Sequence, residues 1–377
     1  MLCLFPAANQ MGNGEMIDVP VGEAVANGTI ANESIAYFMT RTQQYCESIG
    51  VHLDKMRFRQ HLSTEMAHYA TDCWDLEILL SCGWTECVGH ADRSCYDLQQ
   101  HSAKTKVALE ASVRLPESIV IDKVTCEANK KILGPLFKKE QKLVIAAAEG
   151  LEGEDLTAFK AAIEADGSAT IPGTEFNVSS ACVSFKAEKK TISEVKFTPS
   201  VIEPSFGMGR VITAVMEHAF GQRENDEARC VMAFRPSVAP IKVGIFRLIN
   251  NVDFDPIVEN IRRSLALREI VVKVDSSSGT VGRRYARADE VGIPFGVTVD
   301  FDTLVDKSVT IRDRDSMDQI RVPIANVAEV LANLVSEGRV TGNHDVKRPN
   351  IFSDYFATYS KLAPSSEETV DEKSTNA

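Results

Sequence analysis

Two short segments hold the side chains with which this sequence can do chemistry. In Ile202-Glu-Pro-Ser-Phe-Gly-Met-Gly-Arg210, a carboxylate (Glu203) and a hydroxyl (Ser205) flank Pro204 where a strand is expected to end, and Arg210 stands where a helix is expected to begin. An arginine there adds a fixed positive fork to the partial positive charge of a helix amino terminus, a combination suited to a nucleotide phosphate or an adenine face. Glu203 and Ser205 offer partners to something small and cationic. The second segment is Trp84-Thr-Glu-Cys-Val-Gly89. Strand alternation predicts Trp84, Glu86 and Val88 on one face, so the Glu86 carboxylate has to be solvated, paired or functional. The plain structural alternatives are a tight strand-to-helix joint with Arg210 paired to Glu217 or solvent, and Glu86 paired to a lysine on an open sheet.

Other nucleotide chemistries fail on spacing. Gly207-Met-Gly209 begins like a dinucleotide fingerprint, but Ile212 stands at the third glycine position, and there is no Gly-Lys-Ser/Thr phosphate loop. The nine cysteines include no Cys-x-x-Cys pair, which argues against a disulfide framework. His68, Cys73, Cys82, Cys87, His90 and Cys95 form a tempting metal set. Cys82 and Cys87 have four residues between them but no second paired knuckle follows, so free thiols are the expectation and no zinc is expected.

The elements that must position these groups follow from periodicity. Residues 20–48 read as helical, with Ile35, Phe38 and Met39 forming an apolar stripe. Trp74–Leu80 and Trp84–Gly89 read as a hairpin turning at Gly83. Residues 104–195 are lysine-rich and read as an inserted lobe. It has a breaker at Gly134-Pro135, helices over 137–148 and 155–165, and a hairpin turning at Pro172-Gly173. Beyond Pro236, strand and helix alternate (241–249, 256–267, 271–274, 296–299, 326–335), which predicts an α/β domain with a largely parallel sheet.

With 41 basic and 53 acidic side chains the net charge is −12, unfavourable for nucleic acid taken as an average. Residues 231–340 are nevertheless close to neutral, with arginines grouped at Arg283, Arg284 and Arg287 and again at Arg312 and Arg314. A local basic surface is therefore expected there. The acidic tail from Ser365 has few apolar residues and is expected to be disordered. The apolar start Met1-Leu-Cys-Leu-Phe stops at Pro6 without a basic flank, so neither a secretory leader nor a membrane span is expected, and the default location is the cytoplasm, with a mitochondrial form left open.

Glu203–Arg210 with Glu217-His-Ala-Phe220 resembles the third signature motif of class II aminoacyl-tRNA synthetases in its glycyl-tRNA synthetase form. Arg57-Phe-Arg-Gln-His61, Glu65–Asp75 and Gly83–Asp97 resemble the same family, and Asp275–Gly292 resembles its anticodon-binding domain. The resemblance runs in order from Leu2 to about Val340 and begins beyond the family's first and second motifs, implying an amino-terminally truncated member. It implies an α+β fold: a partial antiparallel-sheet catalytic domain (1–103 and 196–232) interrupted by the inserted lobe (104–195), then an α/β anticodon-binding domain (233–340) and a tail (341–377). The absent motifs imply a sheet with an exposed, unpaired edge.

The family joins glycine to tRNA(Gly) using ATP with Mg²⁺ and acts as a homodimer. Carried over, Glu203, Pro204 and Ser205 line the glycine site, Arg210 contacts ATP phosphate, and Glu86 with the backbone of Cys87 lies on the ATP side. Arg283, Arg284 and Arg287 either touch tRNA or pair with Asp289 and Glu290. A non-catalytic tRNA-binding or regulatory fragment is the alternative.

Overall fold

The computed structural model describes residues 1–12, 14–223, 226–336 and 351–362; the expected tail from Ser365 lies outside them. Contacts divide the chain into one compact unit of residues 1–96 and 200–377 and a second of residues 97–199.

The first unit begins with β1 (Leu2–Phe5), α1 (Ala7–Met11), β2 (Ile17–Val19) and α2 (Val21–Ala26). Asn32 caps α3 (Glu33–Ser48), its side chain accepting from the Ser34 and Ile35 N–H groups. α3 buries Ile35, Ala36, Met39 and Cys46, while Phe38 faces outward. Then come β3 (Met56–Gln60), β4 (Asp72–Leu80) and β5 (Gly83–Asp92), the last two forming the expected hairpin.

The second unit takes up α4 (Tyr96–Thr105) and is built on two long antiparallel strands absent from the sequence reading, β6 (Ala111–Ala128) and β9 (Val183–Phe197). Between them run α5 (Lys130–Phe137), α6 (Gln141–Glu149), α7 (Gly153–Asp166), β7 (Ser168–Thr170) and β8 (Asn177–Ser179). α5 passes through the expected breaker: Pro135 sits near its end, where losing one N–H shortens the helix without preventing it. Gly173, at φ +74°, supplies the left-handed turn between β7 and β8. Leu133, Val144, Phe159, Ile163 and Ile171 form this unit's own core.

The first unit resumes with β10 (Ile202–Phe206), α8 (Met208–Ala219), β11 (Phe220–Arg223) and β12 (Asp226–Met232). β10 completes a six-stranded sheet in the order β10-β5-β4-β3-β1-β2. Leu4, Phe58, Trp74, Leu76, Ile78 and Val88 face α3 and α8 in a dry core. β1 pairs with β3 in parallel, and the three-residue β2 at one end and β10 at the other are the edge strands of this sheet.

A second six-stranded sheet follows, formed by β13 (Val243–Arg247), α9 (Asp255–Ala266), β14 (Val272–Asp275), α10 (Val281–Glu290), β15 (Phe295–Val299), α11 (Phe301–Asp306), β16 (Ser308–Asp313), β17 (Gln319–Pro323), α12 (Ile324–Ser336), α13 (Ile351–Asp354) and β18 (Ser360–Leu362). Its order is β14-β13-β15-β16-β17-β18. Only β14, β13 and β15 are parallel; β16, β17 and β18 are added antiparallel, so the sheet is mixed rather than largely parallel. The β16–β17 hairpin escapes periodicity because its charged residues are buried. Arg312 is 2% exposed, bonded to Asp289 and lying over Tyr285. Arg314 is 1% exposed and donates to the carbonyls of Gly292 and Phe234. Neither contributes to the expected basic surface.

Candidate active site

The site lies on the sheet face turned away from α3. Alternation along β3 and β4 sends Phe58, Trp74, Leu76 and Ile78 to the core and Arg57, Arg59, Asp75 and Glu77 to the opposite face. Arg57 and Glu77 meet at 2.7 Å, both mostly buried, with the Arg57 guanidinium stacked over Trp84 at 4.2 Å. Arg59 Nη2 donates to both oxygens of Glu65 at 2.7 Å.

Glu86 reaches this face through a break in strand register. Leu76 pairs with Val88 but Glu77 pairs with Glu86, which leaves Cys87 as a surplus residue, a β-bulge. Trp84 and Glu86 therefore share the open face, whereas Val88 is fully buried on the other side; the single face expected for all three is corrected by this one-residue slip. Cys87 itself points into the core, where burial pushes its thiol up to about 11. Its carbonyl accepts the Gly207 N–H at 2.8 Å.

β10 adds the remaining groups by pairing with β5, Glu203 opposite Ala91 and Ser205 opposite Gly89. Both lie on the open face. Pro204 sits opposite the buried His90 and is turned to the core side. It is tolerated because β10 is an edge strand. Glu203 accepts from Arg93 Nη1 at 2.5 Å, and Arg93 in turn lies 3.9 Å over the Tyr69 ring.

Gly207 starts α8 where space is short: a Cβ there would stand 3.2 Å from the Cys87 oxygen. Gly209 faces open space. One turn into the helix, Arg210 donates to the Glu86 carbonyl at 2.8 Å and lies 3.6 Å from the Glu86 carboxylate. More than half of each side chain remains exposed. Glu217 is engaged elsewhere, accepting from the N–H and hydroxyl of Ser81. The pairing alternative for Arg210 is therefore resolved onto Glu86.

Sequence pattern alone gives Arg57, Glu77, Arg93, His61 and Asp75 no role. The polar-apolar-polar order Arg57-Phe58-Arg59 was the available signal. Among the described residues, the one His/Cys/carboxylate group close enough to share a cation is His61, Cys73 and Asp75. His61 Nε2 meets Asp75 at 2.8 Å, and burial pushes the Cys73 thiol up to about 12. His90 is a core residue, held between Thr42 and the Trp74 carbonyl, and burial pushes its pKa down to about 4. Exposed carboxylates such as Glu86 and Glu203 offer the hard oxygen donors that Mg²⁺ prefers.

In the second sheet, Arg284 is only 4% exposed and donates to the carbonyls of Arg247 and Leu248, so it does not belong to an outward nucleic-acid surface. Arg283 and Arg287 on the same helix are exposed. Asp289 pairs with Arg312 and Arg223 rather than with any of the three.

Residues 238–334 match the family described as anticodon binding domain. The chain is 44% identical to the glycine–tRNA ligase of Caenorhabditis elegans over 92% of its own length and 47% of that protein's. It is 46% identical to that of Drosophila melanogaster (90% and 45%) and 41% identical to that of Methanocaldococcus jannaschii (89% and 59%). It thus spans about half the length of the relatives it matches. The chain is similar to glycine–tRNA ligases along nearly all of its own sequence, and its residues 238–334 match the anticodon binding domain family.

Proposed function

We propose that this chain takes part in the ATP-dependent joining of glycine to tRNA(Gly). The observation that carries the reading is the shared open face. Glu203, Ser205 and Glu86 project from neighbouring strands, and Arg210 reaches Glu86 from the helix that follows.

In the first step, a glycine carboxylate oxygen attacks the α-phosphorus of ATP. The α–β bridging P–O bond breaks, and pyrophosphate leaves with its electron pair. In the second, a hydroxyl of the terminal adenosine attacks the glycyl carbonyl, AMP leaves, and the hydroxyl proton passes to solvent or base. Glu203 takes the glycine ammonium in exchange for Arg93, and Ser205 fixes its orientation. Pro204 shapes the strand from behind rather than touching substrate. Arg210 supports phosphate charge, and Glu86 supplies a carboxylate of the kind that holds Mg²⁺ against phosphates. Refusing alanine's methyl group provides only about 1–3 kcal/mol of discrimination, so the pocket has to be rigid. The ion pairs Arg57–Glu77 and Arg59–Glu65 support that face.

Glycine-dependent exchange of labelled pyrophosphate into ATP tests the proposal. Exchange that disappears in Glu203→Gln supports it. Absent exchange with salt-sensitive tRNA binding points to a binding module.

A further inference from the structure

Three side chains of the first sheet, none of them used in the proposed reaction, come together as a donor set on the side away from the core. β3 and β4 pair with Gln60 opposite Trp74, and the pairing runs one residue further: the His61 N–H donates to the Cys73 carbonyl at 2.9 Å. Cys73 and Asp75 stand two apart in β4, so both point away from the core that Trp74 and Leu76 fill. His61 Nε2 then lies 2.8 Å from Asp75 Oδ2 and 3.8 Å from Cys73 Sγ, and all three ligand atoms are within 4.8 Å of one another. Knuckle spacing does not reveal this group, because His61 is 12 residues from Cys73 and 14 from Asp75 and meets them only through strand pairing.

Thiol, imidazole and carboxylate together are the donors of a zinc-type site with three protein ligands, and the mixture disfavours cations that take oxygen alone. A tetrahedral Zn²⁺ with its usual bond lengths needs N···S and N···O separations of about 3.6 and 3.4 Å. One edge of the group therefore closes by about 0.2 Å and the other opens by about 0.6 Å, which small side-chain rotations supply. Negative charge from Asp75, Asp72, Glu86 and Glu203 converges on the Cys73 sulfur, a field that a cation relieves. The polar contacts of the His61 ring are all on the side of the group, since its Nδ1 is buried with no partner among the described residues. Cys73 and Asp75 are 9% and 6% exposed, while the His61 side chain keeps 23%, so an ion enters past the imidazole. Gly89, opposite Asp75, adds no side chain: a Cβ there would stand 3.5 Å from Asp75 Oδ1. Its absence leaves space beside the carboxylate for a fourth ligand.

We propose that His61, Cys73 and Asp75 bind one Zn²⁺ or a similar first-row divalent cation, with water as the fourth ligand. On binding, the Cys73 thiol gives its proton to solvent and the sulfur bonds to the metal, with no change of oxidation state. His61 offers its Nε2 lone pair with its own proton on Nδ1, and the His61–Asp75 hydrogen bond gives way to two metal bonds. The ion ties the residue that follows β3 to β4 and offsets the carboxylate charge gathered there. The site does not depend on the proposed reaction, which assigns none of its three ligands a part.

The test strips the full chain with a chelator and titrates it with Co²⁺ alone. Cobalt reports thiolate ligation by a near-ultraviolet charge-transfer band and tetrahedral geometry by intense visible bands, and Zn²⁺ then displaces it. One equivalent per chain, with both kinds of band, is the expected result. Cys73→Ser, nearly unchanged in size, loses the charge-transfer band, and His61→Gln weakens binding about tenfold or more with circular dichroism unchanged. Cys82→Ser, which alters an exposed thiol outside the group, titrates like the parent. A parent chain without these bands overturns the proposal and leaves His61 and Asp75 as a plain hydrogen-bonded pair. Bands that persist in Cys73→Ser, or vanish in Cys82→Ser, overturn it equally, because they place the ion on other thiols. Where Cys73→Ser or His61→Gln fails to fold, Asp75→Asn decides: it keeps a hydrogen-bonding group against His61 but removes the anionic ligand, and a folded Asp75→Asn chain that binds like the parent also overturns the proposal.

Discussion

Asp289 carries the packing of α10, and its replacement has a calculable cost. Its carboxylate accepts from Arg312 at 3.1 and 3.3 Å and from Arg223 at 2.9 Å, with Asp289 and Arg312 both 2% exposed. In Asp289→Asn the charge disappears while Arg312 stays buried, and an amide N–H₂ abuts a guanidinium. Breaking one side of a buried pair costs about 3–5 kcal/mol, a fall in Tm of roughly 10 °C for a compact unit of this size. Urea unfolding followed by circular dichroism and by tryptophan fluorescence measures it. Both tryptophans, Trp74 and Trp84, lie in the first sheet, so coincident curves report that the two sheets unfold together. Adding Arg312→Met removes the orphaned charge and should recover part of the loss. A loss below about 1 kcal/mol would refute the counter-ion argument, because it would show Arg312 satisfied without the carboxylate.

Further outcomes follow from the same geometry. Arg210→Ala in a chain that shows exchange should slow adenylate formation about 10²–10³-fold with tRNA affinity unchanged, by pyrophosphate exchange and filter binding; equal loss of both would indicate misfolding. Gly207→Ala should destabilise the start of α8, because its Cβ would stand 3.2 Å from the Cys87 oxygen, whereas Gly209→Ala meets nothing within 4 Å and should stabilise by about 0.5–1 kcal/mol in thermal melts. His90, with its folded pKa pushed to about 4, binds fewer protons folded than unfolded below the ordinary histidine range. Stability should therefore fall as pH drops from about 6.5 toward 4, by up to about 1.4 kcal/mol per unit, and His90→Gln should flatten that slope in denaturant titrations at successive pH values.

Much of this arrangement is visible in one dimension. The β4–β5 hairpin, the joint before α8 and the alternation through α9, β14 and β15 all follow from periods of two and near four, because one face of each element is dry. Three features escape that logic. The Cys87 bulge changes no residue type, so simple alternation places Glu86 beside Val88 although they lie on opposite faces. The β16–β17 hairpin buries Arg312 and Arg314 against distant partners, so its charges read as surface. Arg284 is indistinguishable in sequence from its exposed neighbour Arg283, and only the carbonyls of Arg247 and Leu248 reveal its inward course.

The surplus peptide unit in β5 does two jobs at once. By shifting the strand's parity it frees two consecutive carbonyls, of Glu86 and Cys87, and these receive the Arg210 guanidinium and the Gly207 amide. The distance between the carboxylate and the arginine is therefore set by main-chain atoms common to every amino acid. Exchanging the thiol at position 87 for another small apolar group should leave that spacing intact, whereas adding or removing a residue nearby should uncouple the two charges.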